Sequence, residues 1–419
     1  MPGGLQWPSP GTRMNTPART VRAAICLIGV QLVVAGIGCR GKPFRADPAA
    51  LAAASPELLD RLRADPYNYF RFINHEWTER VCDAFAGDLP TQPIVQLHGD
   101  AHIEQYALTK DAWGLDDFDD ATRGPALVDI TRFLGSIDLS VRRRGWVSDR
   151  EQLFDRFFDG YRRGLSDASY RAPRPDIVRW IADQHPPPTR EAFLVWAETK
   201  MMDMPEASMK GLIASMAAFA KLLQHEQPDL HDGYFRVLRA GWLRMGIGSA
   251  ANRKILVRVR GPSDDPADDE LLEVKALRGL KGINCLKMAE SRPAFRIILG
   301  SQQLGRLKHK ILVAGPEDEI PGMTVPGENL SNWWIRSWEP SYREIQLDDL
   351  RSAQDLSALV YDSGVQLGAG SIHATTAPDA ATFRAESLTA IATLELRLRN
   401  ETKNLVEEML RGWRDLGTR

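Results

Sequence analysis

Four carboxylates stand within five residues at Asp116-Asp117-Phe118-Asp119-Asp120, and no other stretch constrains this chain as tightly. Two unit charges about 4 Å apart repel by roughly 4 kcal/mol at an effective dielectric of 20. Such a segment must be solvated, or a cation must neutralise it. The apolar neighbours Leu115 and Phe118 argue against a fully exposed turn. The expectation is a loop for a hard divalent cation such as Mg²⁺, which takes oxygen ligands and often bridges to phosphate. Just upstream, Ile94 to Leu97 reads as a short buried strand, bounded by Pro93 and the turn His98-Gly99, that delivers Asp100. Residues 113–118 read as a second strand ending in the carboxylates.

A chain of 419 residues has room for two domains or one large bilobed domain. Apolar residues at 43% and charged residues at 26% exclude wholesale disorder. The formal charge of −2 gives no reason to expect nucleic acid as a partner, and Arg142 to Arg144 read as a solvated helix end. The cysteines at 26, 39, 82 and 285 lack metal-ligand spacing, and no disulfide framework is expected. Arg13, Arg19 and Arg22 precede an apolar stretch from Ala23 to Gly38, with Cys39 directly after it. That order reads as an export signal of the lipoprotein type over residues 1–39, placing the protein at the cell envelope. An uncleaved membrane anchor and a cytoplasmic protein are the alternatives. Met14 is an alternative start.

The rest of the chain gives an α+β reading. A helix is expected around Pro56 to Arg63, before the aromatic cluster Tyr67-Asn68-Tyr69-Phe70-Arg71-Phe72. The spacing of Leu127, Ile130, Phe133, Leu134, Ile137 and Val141 predicts a helix from Pro125 to Arg142. Residues 150–225 continue as helices, interrupted at Pro186-Pro187-Pro188. Residues 254–260 and 273–277 alternate with period two around a long hairpin tip, and Trp333 to Trp338 is a further strand. Trp333, Trp334 and Trp338 are expected in the core, with lining of the cleft between lobes as the alternative. An apolar stripe through Leu388, Ile391, Leu394, Leu398, Leu405 and Leu410 predicts a long terminal helix over Ala380 to Trp413. The expected organisation is a helical lobe (40–235), a β-rich lobe (236–340) and closing helices (341–419).

His98-Gly99-Asp100-Ala101-His102, then Asp117-Phe118-Asp119-Asp120-Ala121, then Gly124-Pro125 and Asp129, resembles the catalytic and metal loops of aminoglycoside and choline phosphotransferases. The same blocks resemble more closely the bacterial domain of unknown function 2252 family, which is kinase-like. Pro66 to Arg71, Met245-Gly246-Ile247-Gly248-Ser249 and Leu272-Glu273-Val274-Lys275 are similar to further landmarks of that family, so the resemblance runs from about residue 60 to 375. It implies a protein-kinase-like bilobed fold with a small β-rich lobe inserted in a larger helical one. It implies Asp100 as the group that accepts or orients the acceptor proton, and Asp117, Asp119 and Gln105 as Mg²⁺ ligands. Gly246, Gly248, Ser249 and Lys275 would hold ATP phosphates. His98, His102, Asp129 and Arg71 would support the loops. Kinases present the glycine turn and lysine before the catalytic aspartate, so the reversed order here implies a circular permutation.

The chain departs from the family pattern at three places. Gln105 replaces an asparagine, and its extra methylene moves the amide by about 1.5 Å, where misplacement of that order can cost about 100-fold in rate. Ala251 fills a glycine position, and Leu299 stands where the family has the glutamate that pairs with the lysine; Glu290, on the same expected stretch, is a candidate substitute. Three readings lead, with adenylyl transfer on a kinase-like scaffold as a fourth. The chain transfers a phosphoryl group from ATP to a small-molecule hydroxyl, or binds nucleotide as an envelope-associated pseudokinase. The third is a metal-dependent hydrolase that uses His98, Asp100, His102 and the 116–120 carboxylates.

Overall fold

The structure, a computed structural model, describes residues 44–226, 231, 233–243, 254–277, 279–280, 282–287, 294–315, 320, 323, 333–373 and 380–418. The expected signal segment, the glycine turn with Ala251, and Glu290 lie outside the described residues. Residues 42–419 form one compact unit. No helix among the described residues is long and apolar enough to cross a membrane.

The unit opens with three short helices, α1 (Pro48–Ala54), α2 (Pro56–Ala64) and α3 (Pro66–Phe72). Each begins with a cap followed by proline. Asp47, Ser55 and Asp65 accept backbone N–H groups of the first turn, and the next proline needs no such bond. Helix α4 (Asn74–Ala84) follows, then β1 (Ile94–Leu97), β2 (Tyr106–Leu108), β3 (Trp113–Leu115) and β4 (Thr122–Pro125). β3 is shorter than expected: it ends at Leu115, and the carboxylates are loop. Asp117 has φ +62°, in the left-handed region no strand accommodates.

Helix α5 (Leu127–Arg144) is buried on nearly every side from Leu127 to Val141. It stops at Gly145, whose φ of +74° suits a left-handed C-terminal cap. Arg142 to Arg144 pair with Asp138, Glu407, Asp65 and Asp348. Helices α6 (Arg150–Ser166), α7 (Asp176–Gln184) and α8 (Arg190–Glu198), strand β5 (Met201–Met202) and helix α9 (Glu206–Glu226) lead to the main sheet.

That sheet adds β6 (Val237–Leu243), β7 (Lys254–Val259), β8 (Glu270–Ala276), β9 (Leu312–Ala314), with α10 (Ala294–Leu304) before it, and β10 (Trp333–Ser337). Its order is β5-β6-β7-β8-β10-β9, with antiparallel pairing throughout. Side chains alternate between faces. Ile255, Val257, Leu272, Val274 and Ile335 share one core with Leu212 and Met216 of α9. Leu256 and Leu271 face Phe193, Leu194 and Ala197 of α8. Glu273 and Lys275 are in step with Leu271 and so point to this second face.

Strand β11 (Arg343–Glu344) joins β2, and helices α11 (Ala353–His373) and α12 (Ala380–Thr418) complete the body. α12 runs 39 residues, about 58 Å at 1.5 Å per residue. α6 and α11 touch backbone to backbone. A Cβ on Gly160 would lie 2.1 Å from the Tyr361 carbonyl oxygen, and one on Gly368 2.1 Å from that of Tyr161. Trp333 and Trp334 are buried as expected, whereas Trp338 is only half-buried.

The cysteines correct the sequence reading. Cys82 of α4 and Cys285 form a disulfide with Cα atoms 5.6 Å apart. Spacing gave no hint because the partners lie 203 residues apart, and only the fold brings them together.

Candidate functional site

β1 and β4 pair antiparallel, with Leu97 opposite Thr122. The loop leaving β1 (His98 to Asp100) therefore runs beside the carboxylate loop entering β4. Gly99 is required at the crossing: its φ is +83°, and an added Cβ would sit 1.9 Å from the Asp120 carbonyl oxygen. Asn74 of α4 clamps both loops, donating from Nδ2 to the Gly99 carbonyl at 2.9 Å and to Asp120 Oδ2 at 3.0 Å. Asp129, in the first turn of α5, accepts the His98 and Gly99 N–H groups at 2.7 and 2.9 Å. His98 ties the loops across: its Nδ1 accepts the Asp100 N–H at 3.4 Å, and its Nε2 lies 2.9 Å from the Asp116 carbonyl. An Nδ1 that accepts leaves Nε2 as the donor.

The face of β8 that carries Glu273 and Lys275 meets this loop. Lys275 Nζ donates to Asp117 Oδ1 at 2.7 Å and to both Asp119 oxygens at 3.0 and 2.9 Å. Glu273, two residues earlier on the same face, is 4.0 Å from Lys275 and also pairs with Lys254 and Arg336. Arg336, opposite Glu273 on β10, reaches Asp116 at 3.4 Å and Asp117 at 3.7 Å. His309 lies 3.3 Å from Asp116. Trp334 is opposite Lys275, whose ammonium lies 5.0 Å from its ring centre. From α10, Arg296 donates to the carbonyls of Asp119 and Ala121 at 2.6 and 2.8 Å.

These contacts decide the protonation states. Burial pushes Asp117 up, but Lys275, Arg336 and Lys254 outweigh it and hold the carboxyl well below its ordinary range. Asp119 is raised by burial and by the charge of Asp117, against Lys275. Burial and Arg336 lower Lys275, yet Asp117, Asp119 and Glu273 prevail and raise it, so it stays charged.

Asp100 stands apart from this cluster. Burial pushes its carboxyl up to about 6, against the opposing pull of Arg132. Arg132 of α5 donates from Nε to Asp100 Oδ1 at 2.9 Å while its guanidinium stacks 3.6 Å from the Phe70 ring centre. Arg71 pairs with Glu104 at 2.8 Å, joining α3 to the turn after His102. Gln105 sits in that turn, buried, with its carbonyl accepting the Asp116 N–H at 2.8 Å. Leu299 lies on α10.

The structure thus brings together Asp117, Asp119 and Lys275, and it brackets Asp100 with His98 and Arg132. Sequence reasoning missed Glu273, Arg336, Asn74 and Arg132. The first was legible, since period-two alternation puts residue 273 on the face of Lys275; the others depend on packing.

Among the described residues, no group of three or more His, Cys, Asp or Glu side chains is arranged to hold a metal ion. Mg²⁺ is commonly bound by only one or two carboxylates plus substrate phosphates and water. Asp117 and Asp119, with three oxygens converging on one cation position, suit that mode and not an all-protein cage.

Residues 51–184, about a third of the chain, match the family described as an uncharacterized protein conserved in bacteria (DUF2252). The match contains Asp100, Asp117, Asp119 and Asp129; Lys275 lies beyond it. No curated protein and no solved structure matches.

Proposed function

We propose that this chain binds a magnesium nucleotide and transfers a phosphoryl group from it to a small hydroxyl-bearing acceptor. The observation that carries the reading is the meeting of Lys275 with Asp117 and Asp119, beside a loop that presents Asp100. A lysine shared between two carboxylates is suited to exchange partners with a phosphate–magnesium pair. Mg²⁺, when bound, would offset charge on the transferring group, with Asp117 and Asp119 as its protein ligands and Lys275 pairing with phosphate. Asp100, with a carboxyl raised toward neutrality, suits a group that takes up the acceptor proton.

The same arrangement supports a kinase-like reading of the fold, with the catalytic and metal loops first in sequence and the lysine strand later, hence circularly permuted. Glu273 supplies the carboxylate that Leu299 does not. The Cys82–Cys285 disulfide favours an oxidising compartment and so an envelope location for this chain. ATP is scarce there, which keeps a second reading in view: nucleotide binding without transfer. Gln105 in place of asparagine favours it.

Thermal shift of the full chain with Mg·ATP tests the shared premise. Saturation at 100 times Kd should stabilise the protein by about 2.7 kcal/mol. Asp117→Ala should abolish the shift and Lys275→Ala should weaken it. No shift with any nucleotide would end both readings. Turnover of ATP that vanishes in Asp100→Asn would select transfer over binding alone.

A further inference from the structure

Asp100 has a histidine on either side, and the two are placed differently. The ring of His98 is fully engaged, with one nitrogen on the Asp100 N–H and the other on the Asp116 carbonyl. His102 is completely buried, yet neither Nδ1 nor Nε2 has a hydrogen-bond partner. Buried polar atoms are ordinarily paired, because leaving one unpaired forfeits its solvation. An imidazole that merely braced the loop would bond as His98 does.

Its position supplies a reason. Nε2 of His102 lies 3.7 Å from Asp100 Oδ2. Arg132 occupies the other oxygen, Oδ1, through both Nε at 2.9 Å and Nη2 at 2.8 Å. The carboxylate therefore has one tethered oxygen and one that faces an unpartnered ring. Tyr67 stands edge-on to the same ring at 6.0 Å. Burial, with the nearby charges of Arg71 and Arg132, lowers the imidazole far below its ordinary range, so the ring is neutral and carries a single N–H.

We infer that His102 is a positioning residue for Asp100: its Nε2–H closes on Oδ2 while Arg132 holds Oδ1, fixing the direction in which the carboxylate meets the acceptor hydroxyl. This rests on the phosphotransfer reading above. In that step the acceptor O–H bond breaks and its proton passes to Asp100 Oδ2. The acceptor oxygen forms a bond to the γ-phosphorus, and the bond from that phosphorus to the bridging oxygen breaks, releasing ADP. Asp100 then returns the proton to water at its solvent edge. The 3.7 Å separation is that of an open pair, and such catalytic hydrogen bonds commonly tighten only when substrate is bound.

Two measurements on the full chain test this. In ¹⁵N-histidine-labelled protein, the His102 signals, assigned by their loss in His102→Phe, should report the Nε2–H tautomer in the wild type. They should shift toward the other tautomer in Asp100→Ala. Identical His102 signals in the wild type and Asp100→Ala overturn the pairing, whether or not the protein turns over ATP. In ATP turnover, His102→Phe should lower kcat about 100-fold with the Mg·ATP thermal shift unchanged. His102→Gln, which restores an N–H donor, should recover at least tenfold of that loss. A His102→Phe enzyme as fast as the wild type, or a folded His102→Gln enzyme as slow as His102→Phe, would also overturn it. Absence of any Mg·ATP shift in the wild type would instead remove the phosphotransfer reading, leaving the tautomer result to judge the pair.

Discussion

Lys275 Nζ lies 2.7 Å from Asp117 Oδ1, although 158 residues separate them along the chain. Lys275 is 1% exposed, and its partners Asp117 and Asp119 keep 23% and 26% of their side chains in solvent. Removing the ammonium leaves two carboxylates and Glu273 facing each other without it. Lys275→Met should therefore cost about 3 kcal/mol, at the lower end for a broken buried pair because solvent reaches the carboxylates. Asp117→Asn should cost less, since Asp119 still holds the lysine. Urea midpoints of the three proteins would check the order, and a Lys275→Met protein as stable as the wild type would contradict it.

Asp100 sets a pH dependence. Its carboxyl is pushed up to about 6 by burial, against Arg132. A proton-accepting carboxylate must be ionised, so kcat/KM for ATP turnover should fall as pH drops through about 6. Stability runs the other way. A carboxyl raised in the folded state favours folding when protonated; this contribution is complete below the unfolded value near 3.9 and is lost as pH rises through 6. Between pH 4 and 7 the wild type should lose on the order of 3 kcal/mol relative to Asp100→Asn. Equal pH profiles of stability for the two proteins would show that Asp100 titrates normally.

Much of this site could be read from local pattern. The strand Ile94–Leu97, the loop at 98–100, the acidic run and the alternating segments around 254–260 and 273–277 all follow from short-range spacing. The α5 and α12 stripes likewise announced their helices. What escaped was long-range. Arg132 lies on a helix buried all round, so periodicity could not single out the face that meets Asp100. Arg336 sits in a tryptophan-rich strand where a buried cation is improbable until Glu273 is seen opposite. The strand predicted to reach residue 118 stops at Leu115, because Asp117 adopts a left-handed backbone that propensity does not foresee.

The contact between α6 and α11 depends on missing side chains. A Cβ on Gly164 would approach the Val365 carbonyl oxygen to 2.2 Å, and one on Gly364 would approach that of Phe157 to 2.4 Å. Since backbone cannot step aside cheaply, Gly164→Ala should destabilise by about 1–3 kcal/mol despite alanine's better helix propensity. Gly417→Ala, where nothing lies within 4 Å, should be neutral or slightly stabilising. Thermal denaturation of the pair separates packing from propensity. A Gly164→Ala protein matching the wild type would mean the helices sit farther apart.

Reducing the Cys82–Cys285 disulfide should lower stability by about 2–5 kcal/mol. Calorimetry with and without a phosphine reductant reads this directly, and peptide mapping under non-reducing conditions should recover the crosslinked pair. A melting temperature indifferent to reductant, or both cysteines recovered as free thiols, would refute it.

That crosslink also makes residues 82 to 285 a covalent ring, and Asp100, Asp117 and Lys275 all lie on it. A single protease cut at the exposed Pro186-Pro187-Pro188 stretch opens the circle without parting it. The nicked molecule still migrates as one species until a reductant separates the half that bears the aspartates from the half that bears the lysine.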